Sequence, residues 1–256
     1  MQAQFAAPPD KAMIEQHNTI IIIPARMAAK GLPGKPLADI HGQPLIVHTW
    51  KRAVEANIGH VLIAAAENSI AETVRAAGGD AMVTPPNLAA SIDRVAAAIA
   101  LRDQARRFEY VINLPANLPN VDALTLRRCL AGLTNQVVDI ATVATQVADA
   151  ANADNSHITK VVVPLEGERE VAYARDFTRQ NMPSPFWQNI PIFAFRRSAL
   201  EKLAALPASA NEKQRGLEMM RALDNDMKIA VVKVDSLPLA VDTPAHLETA
   251  RRLLRT

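Results

Sequence analysis

Ile20-Ile21-Ile22-Ile23-Pro24-Ala25-Arg26, followed by Gly31-Leu32-Pro33-Gly34-Lys35-Pro36-Leu37, is the stretch that decides the fold. Four β-branched residues in a row read as a buried strand. Pro24 has no N–H to give to a central ladder, so the strand is expected to end there. A loop follows that carries three cations, Arg26, Lys30 and Lys35, and two glycines, Gly31 and Gly34. A strand that delivers the chain into such a loop suits phosphate binding, because backbone N–H groups turn toward the anion while the side chains neutralise it. Arg26 and Lys35 are the candidate phosphate-facing cations.

Outward from this loop the pattern is strand, loop, helix, repeated. Strands are expected at 60–65, 81–83, 109–114 and 139–145, with helices from Pro44, over 91–101 and over 121–133. Ser69-Ile70-Ala71-Glu72 reads as a capping box opening a helix that Gly78-Gly79 stops. Asn120 reads as the cap of the helix at 121–133. The second half is less regular, with strands at 160–163, 171–174, 190–195 and 228–234 and helices at 198–206, 211–223 and 244–254. Thr243-Pro244 is an N-cap followed by proline in the first turn. Strands alternating with helices imply an α/β fold, a mostly parallel sheet flanked by helices.

The composition narrows the function. The 256 residues are 49% hydrophobic, enough for a sizeable core, and 28 basic against 26 acidic side chains leave a net charge of +2. That balance gives no reason to expect nucleic acid or an anionic membrane as partner. One cysteine, Cys129, allows no intrachain disulfide and fits a reduced, cytoplasmic setting. No apolar run reaches transmembrane length. Residues 1–18 lack the cationic start and apolar core of a signal peptide and read as a flexible tail.

The run PAR followed by LPGKPL resembles the nucleotide-binding loop of the CMP-Kdo synthetase family, the 3-deoxy-manno-octulosonate cytidylyltransferases of lipopolysaccharide synthesis. The resemblance covers about residues 19 to 254. It implies a nucleotide-diphospho-sugar transferase-like fold over 19–256, with a smaller sugar-binding and dimerisation region near 146–226. It implies transfer of CMP from CTP to the anomeric hydroxyl of a sugar acid, with Mg²⁺ held by two Asp residues and pyrophosphate released. It also implies a homodimer, or a heterodimer with a paralogue. That region is apolar at Ile190, Ile192, Phe193 and Phe195, and where such a patch is exposed it marks an interface.

Carried over position by position, the resemblance makes Arg26, Lys35, Asp93 and Arg94 nucleotide-binding residues, and Arg175 and Glu218 sugar-binding residues. Asp242, in Val241-Asp242-Thr243-Pro244, is a metal ligand or a helix cap, and Asp93 and Arg94 have a plain helix-start reading beside the ligand one. Many other positions depart from the family. Its NLQGDEP is Asn113-Leu114-Pro115-Ala116-Asn117-Leu118-Pro119 here, so Asn117 is a weak metal ligand without charge. Its Arg before LPGKP is Gly31, and its Thr-Asp after the second strand is Ala65-Ala66. Its SGTDR is Ala90-Ser91-Ile92-Asp93-Arg94, its sugar-facing His is Asn189, and the Gln of its LEQLR is Met219. Polar groups have mostly become apolar while the framework keeps its spacing. The expectation is a family member whose cytidylyl transfer is lost or severely impaired. The alternative is a non-catalytic binding, regulatory or scaffold partner linked to the cell envelope.

Overall fold

The computed structural model describes residues 13–28, 31–88, 90–149 and 152–254. Strand β1 (Thr19–Ala25) leads through a 3-10 turn (Lys35–Leu37) and a small ribbon, β2 (Asp39–Ile40) and β3 (Gln43–Pro44), into α1 (Leu45–Ala56). Three strand–helix pairs follow: β4 (His60–Ala65) with α2 (Asn68–Ala76), β5 (Asp80–Val83) with α3 (Ser91–Arg102), and β6 (Tyr110–Asn113) with α4 (Ala123–Ala131). The second half adds β7 (Ile140–Val147), β8 (Lys160–Val162), β9 (Val171–Tyr173), β10 (Asp176–Thr178) and the long β11 (Phe186–Arg196). It ends with α5 (Arg197–Ala205), α6 (Ala210–Arg215), α7 (Met219–Leu223), β12 (Ile229–Lys233) and α8 (Pro244–Leu253).

One sheet runs β5-β4-β1-β6-β11-β7-β12-β9, with β8 and β10 branching from β11. β1, β4, β5 and β6 are parallel, as are β7 and β12, while β11 runs antiparallel between β6 and β7. Both faces of β1 are covered. Ile21 and Ile23 belong to one core with α1, α2 and α4, and Ile20 and Ile22 to a second core with α3 and α5. This is why the strand reads as an unbroken apolar run rather than as an alternation. A third, small core of Ile40, Leu45, Val241, Leu247 and Ala250 pins α8 against the ribbon after the first loop. It brings the Val241–Asp242 turn back to that loop, more than two hundred residues away in sequence.

Several local expectations are corrected. β1 continues through Pro24, which pairs with Ala64 of β4. Ile22 is the last residue of β1 paired with β6, and its carbonyl accepts from Leu114 N–H on that side. By strand alternation the missing N–H of Pro24 faces the side where that ladder has already ended, so nothing is lost. The capping box at Ser69 does not form, because α2 begins at Asn68 and Glu67 precedes it. Asp122, not Asn120, caps α4 by accepting from Thr125 N–H, and Asn120 accepts from Leu239 N–H instead. The helix expected at 211–223 is two short helices, parted at Gly216 with φ 65°. Part of the N-terminal tail, Gln16–Asn18, is a 3-10 turn with Asn18 buried. Residues 1–12, Lys30 and Arg255 lie outside the described residues.

The apolar patch on β11 is not on the surface. Ile190, Ile192 and Phe195 are fully or almost fully buried, and Phe193 is half-buried. They lie on β11, which the antiparallel pairing to β6 and β7 places inside the sheet. What the sequence offered as a sticky surface is core.

Candidate functional site

A cleft opens where the carboxyl ends of β1 and β6 meet the start of α3, the usual position for ligands in open α/β sheets. One part, of about 350 Å³, is lined by Pro24, Arg26, Lys35, Asn113, Pro115 and Asn117. An adjoining part, of about 240 Å³, runs from Asn113 and Ser91 to Arg179 and Met219. The first loop is closed by Gly34 N–H donating to Met27 O at 3.0 Å, and Glu67 accepts from Met27 N–H at 3.0 Å. Gly34 holds φ 73°, a left-handed turn that glycine takes without strain.

At the outer end of the cleft, three of the expected residues meet one another. Lys35 Nζ lies 2.7 Å from Asp242 Oδ1, and Asn117 Nδ2 donates to the same oxygen at 2.9 Å. Amide orientation is fixed here by chemistry, since turning the Asn117 oxygen toward the carboxylate would set acceptor against acceptor. Asp242 does not cap α8. Thr243 does, accepting from His246 N–H. Gly31 packs so closely on this turn that a Cβ there would collide with the Asp242 carbonyl oxygen. A loop arginine at position 31 is therefore incompatible with the observed packing.

Mg²⁺ does not fit this arrangement. The set offers one carboxylate, already neutralised by an ammonium, and an amide that points its hydrogens, not its oxygen, at the centre. Mg²⁺ wants several hard oxygens in near-octahedral array and gives up its water reluctantly. Among the described residues no group of three or more His, Cys, Asp or Glu is placed to hold a metal.

The remaining expected residues divide. Arg26 lines the cleft and makes no ion pair or hydrogen bond among the described residues. Arg94 is buried, and its donors go to Thr84 Oγ1 and the carbonyls of Pro85, Pro86 and Leu88. Burial lowers its pKa, the Glu67 carboxylate opposes that, and nearby Arg26 adds to it. Arg94 thus lines the cleft while its hydrogen bonds hold the loop between β5 and α3. Asp93 sits in the first turn of α3 and is not among the residues lining the cleft. Arg175 is exposed beyond β9 and is not among the residues lining the cleft.

Glu218 does line the cleft. One of its oxygens accepts from Ser91 N–H at 2.9 Å and the other from Ser91 Oγ at 3.2 Å. Burial raises its pKa, partly offset by these hydrogen bonds and by the N–H of Ile92. The carboxylate thus fills the N-terminal end of α3, satisfying donors that the helix leaves open. Asn189 is buried, and its Nδ2 donates to Thr142 Oγ1 and Val143 O at the irregular pairing of β11 with β7. Two residues of this region escape the sequence reading. Arg179 lines the cleft after β10, a strand too short to show in the sequence pattern, and Glu67, before α2, holds the first loop through Met27.

The sheet and its strand-end cleft define a nucleotidyltransferase-type α/β protein. A cytidylyltransferase family model matches residues 20–229. The 3-deoxy-manno-octulosonate cytidylyltransferase of Paramagnetospirillum magneticum is 41% identical over 239 residues, spanning 92% of this chain and 97% of that protein. That of Rhodopseudomonas palustris is 43% identical over 240 residues, 93% and 98% respectively. A solved CMP:2-keto-3-deoxy-manno-octonic acid synthetase complexed with CTP superposes with a TM-score of 0.83 at 30% identity, covering 92% of this chain and 98% of that one. A 4-diphosphocytidyl-2C-methyl-D-erythritol synthase from Anaerococcus prevotii shares the fold alone, at TM-score 0.62 and 12% identity, covering 94% of this chain and 100% of that one. The chain belongs to the 3-deoxy-manno-octulosonate cytidylyltransferase family.

Proposed function

We propose that this family member keeps the cleft as a binding site and has lost effective cytidylyl transfer. The observation that carries the reading is the Lys35–Asp242–Asn117 cluster, in which groups that would serve metal and triphosphate are spent on one another. In-line attack on an α-phosphorus needs positive charge held ready for the transition state. Here Lys35 is paired, position 31 carries no side chain, and among the described residues of that loop Arg26 is the free cation. Losing a preorganised charge contact costs about 10²–10³ in rate, and two such losses act together.

The solved relative holds CTP, so the ligand proposed for this chain is CTP or another nucleotide, bound weakly. Little base preference is expected, because Pro115-Ala116 brings no side-chain donor or acceptor to read the base edge. The protein is proposed to work in the cytoplasm as a binding, regulatory or scaffold partner near lipopolysaccharide synthesis. No described helix is long and apolar enough to cross a membrane.

A coupled pyrophosphate assay with CTP, Kdo and Mg²⁺ tests the reading. The expected rate is at least about a thousandfold below that of a catalytic relative assayed in parallel. Turnover within tenfold of the relative would overturn it. We also propose a dimer, homotypic or with a paralogue. With β11 buried, β9 is an open edge of the sheet with exposed Val171 and Tyr173 to offer a partner. Light scattering of the purified chain is expected to give twice the monomer mass, and a monomer at all concentrations would exclude the homodimer.

A further inference from the structure

Asn113 ends β6, buried between Ile22 of β1 and Phe193 of β11. Its Nδ2 donates to Ser91 Oγ at 3.0 Å. The single hydroxyl hydrogen of Ser91 is committed to Glu218, so Oγ can only accept from the amide, and the amide cannot turn over. Asn113 Oδ1 therefore has a fixed direction. Among the described residues it is the one buried side-chain polar atom without a partner, and Asn113 lines both parts of the cleft. Buried acceptors are nearly always satisfied, and an exception in a cleft marks a place where a ligand supplies the donor.

A second unspent group lines the same 240 Å³ space. Arg179 makes no ion pair or hydrogen bond among the described residues, and it lies beside the bare backbone of Gly216, where an added Cβ would stand 3.6 Å from Nη1. Ser91 and Glu218 are committed to each other and Asn189 Nδ2 to the sheet, which leaves the Thr159 hydroxyl and Asn189 Oδ1 as the other polar atoms of the lining. Pro115, Phe177, Pro191, Phe193, Leu217 and Met219 make up its apolar lining.

We infer that this part of the cleft binds a compact organic acid with an apolar body and one hydroxyl or amine donor. The anionic group pairs with Arg179, and the donor meets Asn113 Oδ1. A polyhydroxylated acid is disfavoured, because beyond those that Thr159 and Asn189 could meet its hydroxyls would be buried against Pro, Phe, Leu and Met with nothing to bond. The inference rests on reading the chain as a binding protein, and it names the ligand class of that cleft.

Calorimetric titration with butyrate, hexanoate and octanoate, each beside its ω-hydroxy derivative, supplies the test, with Kdo as a further probe. At the chain length that spans the two groups, the hydroxy acid is expected to bind about tenfold more tightly than its parent. Asn113→Leu is expected to bring that ratio to about one. Arg179→Gln, an exposed change that leaves the core intact, weakens both acids alike and keeps the ratio. Equal binding of each pair by the unmodified protein, no binding of any acid, or tighter binding of Kdo than of every hydroxy acid would overturn the inference. If Asn113→Leu fails to fold, the unmodified ratio and Arg179→Gln still decide. Pyrophosphate release in the separate turnover assay would end the non-catalytic reading without touching this ratio.

Discussion

Asn117→Asp, made alone, is expected to leave pyrophosphate release from CTP and Kdo at background and to lower the melting temperature by about 2–4 °C in metal-free buffer. The substitution removes an N–H donor 2.9 Å from Asp242 Oδ1 and puts a second carboxylate in its place. A hydrogen bond to a charged group is worth about 1.5–3 kcal/mol when buried. Asp242 is about half exposed, so solvent screening reduces this to roughly 1 kcal/mol. Lys35 remains to offset part of the repulsion.

Adding Mg²⁺ is expected to recover the lost stability in the variant and to leave the unmodified protein unchanged, since only the variant presents paired carboxylates. Activity does not follow from the metal alone. Position 31 carries no cation, and an arginine placed there meets the Asp242 carbonyl unless the whole loop moves. Ala65 and Ala66 present no polar side chain at the end of β4, and Pro115 offers no amide. Thermal denaturation with and without Mg²⁺, run beside the pyrophosphate assay, measures both halves. A single-substitution variant with turnover near that of a catalytic relative would show that the cluster alone silenced the site.

The framework was legible because it is written in local pattern. The Ile20–Ile23 run, the Thr243-Pro244 cap and the Gly78-Gly79 stop each carry their meaning within a few residues. What was not legible was partnership. Nothing near Arg94 in sequence announces that its guanidinium is consumed by four acceptors between Thr84 and Leu88. Nor does the VDTP stretch reveal that its aspartate is claimed from two directions, because Lys35 and Asn117 reach it only once α8 docks on the third core. Apolar β11 residues looked like an interface for the same reason. A strand buried on both faces and an exposed sticky strand share one composition, and only the pairing to β6 and β7 separates them. The altered positions are visible in the sequence, but the closed ion-pair cluster they form is not, because its three members meet only in the folded chain.

The largest stability effect is expected at Arg197, far from the cleft. Its Nη1 lies 2.7 Å from Asp103 Oδ2, with both side chains almost fully buried, and Nη2 donates to the Asp103 carbonyl. The pair ties the first residue of α5 to the end of α3. Arg197→Met preserves bulk and removes the charge, which leaves the buried Asp103 carboxylate with two backbone donors and the exposed Arg107 side chain at 3.7 Å. Breaking such a pair costs about 3–5 kcal/mol, or about 6–20 °C in melting temperature for a chain of this size. The pH dependence follows from the same contacts. Burial pushes the Asp103 carboxyl up, but the N–H groups of Phe108 and Arg107 together with Arg197 outweigh it and hold the group below its ordinary 3.8. A depressed carboxyl contributes stability that is fully present above its unfolded value and is lost as pH falls through its folded value. Without Arg197 the burial effect gains ground, the folded pKa rises, and acid unfolding is expected to begin at a higher pH than in the unmodified protein. Urea denaturation at neutral pH and a pH titration of circular dichroism measure the two effects. A loss below about 1 kcal/mol with an unmoved acid transition would mean that the backbone donors of Phe108 and Arg107 satisfy Asp103 without help.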